Sequence, residues 1–310
     1  MALDEMMKQN ISLAIGPLLF HWPVEKISDF YARVADEAPV DTVYLGEVVC
    51  SKRLPHYSGA LPALADRLRR GGKTVILSSV ALVTLARERK ACAELMQNDE
   101  FEVEVNDLTA LAFLERGLPF RIGPFVNVYN ESTLTFLISR GASALCLPPE
   151  LGIGSVEILA TAARKLQVGC EVWAFGRTPL AISGRCYHAR LASLTKDACQ
   201  YVCSRDSDGR EVDTLGGKPI LAINGVQTLS HAMCNVVEDV DRLATAGVTG
   251  LRLSPHSCDM ISVSSIFRDR LDGRLDSGAA RERMALICGP VNFSNGFLFG
   301  NSGAEFVSLQ

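Results

Sequence analysis

The sequence predicts an α/β protein built as a closed (β/α)8 TIM-like barrel, and three observations carry that prediction. Eight short β-rich runs alternate with eight helix-period segments along 310 residues, which is the element count of such a barrel. Most of the runs are nearly unbroken in apolar residues, as parallel strands covered on both faces require. No Gly-x-Gly-x-x-Gly follows the first run, so the open dinucleotide-binding sheet lacks its usual marker.

Taken in chain order, the strand runs are 11–16, 42–46, 74–79, 102–105, 120–123, 144–147, 170–175 and 250–254. The helical segments between and after them are 24–37, 59–71, 84–97, 108–116, 131–140, 155–166, 233–246 and 258–271. Gly117, Gly141 and Gly247 each stand just past one of these helices, where a left-handed residue commonly ends the turn. After the seventh run, residues 176–218 occupy a connection that a few residues would satisfy, and loops of that length usually carry function. The expected organisation is a barrel over 1–271 that includes this insertion, followed by an irregular, Gly/Ser-rich C-terminal extension over 272–310 packed on the barrel.

Composition narrows the class. A net charge of −4 argues against a surface built to grip nucleic acid, which needs a basic face. Although 48% of residues are hydrophobic, no stretch reaches the roughly 18–20 apolar residues of a membrane span. The best N-terminal stretch, 11–20, is broken by Gly16 and Pro17 and preceded by Asp4 and Glu5, where a secretory signal would be positively charged. A cytoplasmic chain with no transmembrane segment and no nucleic-acid partner is expected.

Ten cysteines are too sparse for a secreted disulfide scaffold and more than a reduced enzyme needs for packing. Cys92, Cys146, Cys170, Cys234, Cys258 and Cys288 lie in apolar or helical surroundings and read as small buried hydrophobes. Three others fall inside the insertion, with the spacing Cys186-x12-Cys199-x3-Cys203. Cys50, just past the second strand, is the candidate fourth ligand, because loops after strands two and seven open on the same face of a barrel. Four thiolates suit zinc or an iron–sulfur cluster. With one close pair and two scattered ligands the set fits a cluster better than zinc knuckles. Lys52, Arg53, Arg185, His188, Arg190, Lys196 and Arg205 surround these cysteines and would offset the negative charge of a thiolate-ligated cluster.

Other polar residues fall at strand ends, where barrel chemistry resides. Asn127 and Asn130 flank an aromatic loop after the fifth strand, although Asn130 also precedes a helix and suits a cap. Glu171 interrupts an apolar strand and needs a partner if buried; Arg252 is one option, or an anion binder in its own right. The five histidines form no metal-binding spacing, and neither a Gly-x-Ser-x-Gly nor a phosphate-cradling loop occurs.

Several of these segments recur together in one known family. Val43-Tyr-Leu-Gly-Glu-Val-Val-Cys50-Ser-Lys-Arg53, Glu171-x-Trp173-x-x-Gly176, Gly184-Arg-Cys186, Lys196-Asp-x-Cys199-x3-Cys203, Asn224-Gly-x-Gln227-Thr228 and Arg252-Leu-Ser-Pro255 resemble the collagenase-like peptidase family U32. Within it they resemble the branch devoted to oxygen-independent ubiquinone biosynthesis, over about residues 11–260. The resemblance implies a [4Fe-4S] cluster held by Cys50, Cys186, Cys199 and Cys203. It implies a heterodimer with a UbiU-like paralogous subunit, and a lipid-carrier accessory protein presenting a prenylated aromatic substrate. The activity implied is ring hydroxylation without O2, with prephenate as hydroxyl donor. Asn127, Asn130, Glu171 and Arg252 are the expected substrate contacts. Trp173 and Arg177 depart from the wider family's pattern, and the tail matches only around Asn295-Gly-Phe297. A peptidase-like activity and an RNA-directed hydroxylase are the alternatives within the family; a zinc-stabilised scaffold is the alternative outside it.

Overall fold

The computed structural model describes residues 11–114 and 118–308. β1 (Ser12–Ile15) leads through α1 (Val24–Glu37) to β2 (Thr42–Leu45). Next come α2 (Leu54–Tyr57), α3 (Leu61–Arg70), β3 (Thr74–Ser78), α4 (Ala86–Met96) and β4 (Glu102–Val105). β5 (Phe120–Ile122), α5 (Glu131–Ser139), β6 (Ala142–Cys146), α6 (Ile153–Lys165) and β7 (Gly169–Ile182) follow. The insertion then supplies α7 (Tyr187–Leu191) and β8 (Arg210–Asp213), and continues into β9 (Pro219–Asn224) and β10 (Gln227–Asn235). After α8 (Val240–Thr245), the chain returns to the barrel as β11 (Gly250–Leu253). α9 (Met260–Leu271), α10 (Ser277–Cys288) and β12 (Phe293–Ser294) complete it.

β1 to β7 are successive parallel neighbours, and β11 pairs in parallel with both β7 and β1, closing eight strands into a (β/α)8 barrel. The helices cover it through apolar stripes. On α1 the buried residues Ile27, Tyr31, Val34 and Ala35 recur at the helical period. Asp259 begins α9 by accepting from Ile261 N at 3.2 Å, and Asn130 begins α5 by accepting from Thr133 N at 2.8 Å. No helix among the described residues is long and apolar enough to cross a membrane.

Three expectations need correction. Residues 233–246 were expected as one helix, yet Met233, Cys234 and Asn235 belong to β10, which pairs antiparallel with the outer part of β7; the helix starts at Val240. The apolar run there is short enough to serve either state, and the long-range ladder decides it. Of the helix expected at 108–116, Leu108–Phe113 form a 3-10 helix, begun by Asp107 accepting from Thr109 N at 2.8 Å; residues 115–117, Gly117 among them, lie outside the described residues. The 272–310 segment is less irregular than its composition suggests, since α10 runs for 12 residues. It buries only Ala280 and Met284, too thin a stripe to give a periodic signal.

Part of the barrel interior is charged. Ala14, Tyr44 and Ile76 pack together on the apolar side. Against them, Arg252 is fully buried, pairs with Glu104, and reaches Glu171 Oε2 at 2.7 Å through Nη2 and 3.1 Å through Nε. Its guanidinium carbon lies 3.8 Å from the centre of the Tyr44 ring. Tyr44 donates to Glu171 Oε1 at 2.8 Å and accepts from Arg121 Nη1 at 3.1 Å. Burial holds the Tyr44 phenol well above its usual range, so it stays a donor. Glu104 Oε2 accepts from Ser78 at 2.8 Å and from Asn106 at 3.1 Å. The network closes on itself, which is what makes charges tolerable inside a core.

Arg252→Met leaves Glu104 and Glu171 without their shared cation. The expected cost is about 3–5 kcal/mol, read as a fall in the urea midpoint, with partial recovery in Arg252→Met/Glu171→Gln. A second test concerns Asp239, beside α8. It is buried, its Oδ2 accepts from Asn295 Nδ2 at 3.1 Å, and its Oδ1 has no partner. Burial pushes its carboxyl up from 3.8 to about 6. A carboxyl whose folded pKa is raised stabilises the fold while protonated, and that contribution fades as pH climbs through the folded pKa. Relative to wild type, Asp239→Asn is expected to gain thermal stability progressively between pH 4 and 7, with little difference at pH 4.

Candidate functional site

The four cysteines singled out by spacing come from separate segments and line one cavity of about 330 Å³. Cys50 is delivered by the turn after β2. Gly46 (φ +134°) passes so close to β3 that a Cβ there would lie 2.4 Å from Ser78 O, so only glycine fits. Buried Glu47 then organises the turn, its Oε1 accepting from Val49 N at 2.9 Å and Cys50 N at 2.8 Å. Burial raises the Glu47 carboxyl, against the opposing pull of Arg53.

The insertion brings the other three. Cys186 caps α7, its sulfur accepting from Ala189 N at 3.4 Å. Between Cys199 and Cys203, Gln200 (φ 48°) and Tyr201 (φ 53°) are consecutive left-handed residues. Such conformations cost of order 1–3 kcal/mol each and persist where surrounding structure imposes them. Here they turn the chain back on itself, so that Cys199 and Cys203 face one cavity. A left-handed residue entering a helical turn also aims successive N–H groups inward, an arrangement common around anions and iron–sulfur groups.

Arg53 forms the inner wall. Only 1% exposed, it donates from Nη1 to Leu19 O and from Nη2 to Asn224 Oδ1, both at 2.8 Å. Its Nε finds no protein partner. Burial raises the Cys203 thiol while Arg53 draws it down, and Cys50 is raised by the same burial. Gly225 (φ +66°) leaves room for this guanidinium: a Cβ there would stand 2.7 Å from Arg53 Nη2. Lys52 ties the Cys50 turn to the insertion through Lys196 O at 2.9 Å and Asp197 O at 2.7 Å. His188 accepts from Gly225 N on Nδ1 at 2.8 Å and faces Asp206 Oδ2 with Nε2 at 3.0 Å, so its proton sits on Nε2.

All ten cysteines are free thiols. Among the described residues, no three His, Cys, Asp or Glu side chains converge tightly enough to hold one metal ion. The residues that could hold a larger inorganic group are Cys50, Cys186, Cys199 and Cys203. A single zinc needs every sulfur about 2.3 Å from one point, whereas a cluster takes each thiolate on a different iron.

The four expected substrate contacts separate into three settings. Glu171 and Arg252 are partners in the closed barrel network rather than part of an open surface. Asn130 uses its side chain to cap α5. Asn127, left-handed at φ 60°, lines a cleft of about 820 Å³ with Phe125, Tyr129, Glu150 and Leu180. Tyr129 hydrogen-bonds Glu150 there. Ser254 and His256 make no nucleophile–base pair, because His256 Nδ1 faces Ser254 O at 3.1 Å and Nε2 accepts from Arg177 N at 3.3 Å. Sequence reasoning missed Tyr44 and Arg121 as members of the network. Arg121 had a signal, as a charge centred in the three-residue strand Phe-Arg-Ile.

Comparison with solved structures finds barrels of distant sequence. A putative fructose-1,6-bisphosphate aldolase from Coccidioides immitis matches at TM-score 0.41 and 12% identity, over 92% of this chain and 89% of that one. A Prevotella bryantii endo-beta-mannanase/endo-beta-glucanase matches at TM-score 0.41 and 8% identity, over 90% of this chain and 48% of that one. Likenesses this weak carry no argument about chemistry. The family comparison is stronger: the model of peptidase family U32 matches residues 23–307. Given that span, the chain belongs to peptidase family U32.

Proposed function

We propose that this chain is an iron–sulfur subunit of the UbiV type, acting in an O2-independent hydroxylase on the aromatic ring of prenylated ubiquinone precursors. On this reading Cys50, Cys186, Cys199 and Cys203 hold one [4Fe-4S] cluster, a UbiU-like paralogue completes a heterodimer, and prephenate supplies the hydroxyl group. The observation that carries the reading is the meeting of four cysteines, from residue 50 and from the 186–203 insertion, around one cavity against a buried guanidinium. Family U32 membership supports it.

The donor set suits the group. Four thiols, a buried guanidinium lining the same cavity, and an unpartnered Arg53 N–H form an environment suited to a sulfur-rich anion. When bound, such a cluster supplies one-electron transfer or holds its loops together. The protein's own residues do the rest. Glu47 and Gly46 aim Cys50, Arg53 offsets thiolate charge, Lys52 locks the turn to the insertion, and His188 with Asp206 braces the far wall. The 820 Å³ cleft at the strand ends, apolar apart from Asn127, Tyr129 and Glu150, offers room for an aromatic ring.

Chain purified without air is expected to carry roughly four irons and four acid-labile sulfides, with visible absorbance that the Cys199→Ala/Cys203→Ala variant lacks. One zinc and no sulfide would overturn the reading. Gly225→Ala, which displaces Arg53, is expected to lower iron occupancy severalfold while far-ultraviolet circular dichroism stays as in wild type. In cells, the double cysteine variant should abolish ubiquinone formation without oxygen and leave aerobic formation intact.

A further inference from the structure

Four arginines are buried among the described residues, and three of them meet a carboxylate. Arg177 meets Glu211 at 3.6 Å, Arg252 meets Glu171 at 2.7 Å, and Arg270 meets Asp241 at 2.6 Å. Arg53, the fourth, forms no ion pair among the described residues, and both of its hydrogen bonds go to neutral oxygens. Glu47 acts on it from nearby, but directs Oε1 to Val49 N and Cys50 N. With Nη1 held by Leu19 O and Nη2 by Asn224 Oδ1, the planar guanidinium has its orientation fixed, and the remaining buried donor, Nε, has no partner. The other basic side chains lining the cysteine cavity are engaged. His188 bonds Gly225 N and Asp206 through its two ring nitrogens, Lys52 Nζ donates to Lys196 O and Asp197 O, and Lys196 Nζ donates to Gly184 O at 3.4 Å. A partnerless donor on a buried cation that lacks a carboxylate calls for an anion from outside the polypeptide.

We propose that Arg53 donates from Nε to a sulfur of the cluster held by Cys50, Cys186, Cys199 and Cys203, and that this guanidinium sets the potential at which the cluster accepts an electron. The inference rests on the cluster reading above and deepens it. Four thiolates leave a [4Fe-4S] group with net negative charge, which an added electron increases. Arg53 interacts more strongly with the more negative form, through its charge at low dielectric and through an N–H aimed at sulfur, so it favours the reduced state. The exchange is electron transfer alone: a one-electron donor, here a reduced viologen, loses one electron and the cluster gains it, with no bond made or broken. Arginine keeps its proton throughout, so Arg53 neither gives nor takes one in the exchange. Its two anchoring bonds hold it in place before the electron arrives, which is the condition for a fixed charge to act at full strength.

The test uses the full chain labelled with arginine carrying nitrogen-15 at Nε, purified without air and assayed for iron and sulfide. It is reduced stepwise with viologen and followed by electron paramagnetic resonance. Arg53 is the one arginine lining the cavity among the described residues, so the expected wild-type result is a nitrogen-15 coupling to the reduced cluster in pulsed spectra, absent from Arg53→Lys. Arg53→Met, which removes charge and N–H together, is expected to be reduced at least about tenfold less readily, about 59 mV more negative for one electron. Arg53→Lys, which keeps the charge, falls between it and wild type. A loaded wild-type chain without the coupling overturns the proposal and leaves the cluster reading standing, as does a loaded Arg53→Met at the wild-type potential. Zinc in place of iron and sulfide removes the cluster reading and this proposal with it. The wild-type spectrum decides the matter even where a variant fails to fold or to load.

Discussion

The placement of Arg53 is the constraint on which the functional end of the molecule depends. A cation with 1% exposure must have partners, because an unpaired buried charge costs several kcal/mol. Its partners come from the loop after β1 and the end of β9. Two segments far apart in sequence are thereby tied to one point. Glu47 supplies the nearby carboxyl, and the same carboxyl shapes the turn that presents Cys50. Gly225 is conformationally and sterically committed to this arrangement. Cavity, turn and guanidinium are therefore one structural unit.

Much of this was legible in the sequence, for a physical reason. Parallel strands covered on both faces write themselves as apolar runs, so seven of the eight barrel strands match their runs within a residue or two; the seventh, expected at 170–175 with a loop from 176, instead continues as strand to Ile182 because β10 pairs with its outer part. Cysteines spaced across a long insertion are equally visible, and the Cys186, Cys199 and Cys203 set needed only Cys50 to be complete. What escaped reading depends on partners remote in sequence. The strand at 227–235 exists because β7 continues past the barrel and offers an edge. Glu171, as a charge in an apolar strand, calls for a buried partner, and Arg252 supplies it; that Tyr44, Glu104 and Arg121 join the pair depends on strands remote in sequence.

Two charged centres thus serve one barrel. Inside, Arg252 and Arg121 answer Glu102, Glu104 and Glu171 through short, mutually satisfied contacts. Such a network adds specificity of packing more than net stability, since a well-packed apolar replacement can be equally stable. At the cysteine cavity, Arg53 Nε is buried without a hydrogen-bond partner.

β7 connects these functions. Its first residues pair with β6 and β11 and carry Glu171 into the barrel network. Beyond Phe175 the strand leaves the closed sheet and pairs antiparallel with β10. Its last residues, Pro179 to Ile182, wall the 820 Å³ cleft. The chain then enters the insertion, where Cys186 caps the next helix. A strand cannot slip by one residue without turning its side chains to the opposite face. The irregularity between Trp173 and Phe175 resets that alternation, so the face that residues 179–182 turn to the cleft is set by their own ladder to β10, in which Thr228 pairs with Ala181 and Gln227 with Ile182. β7 thus answers to the barrel strand β11 at one end and to β10 at the other.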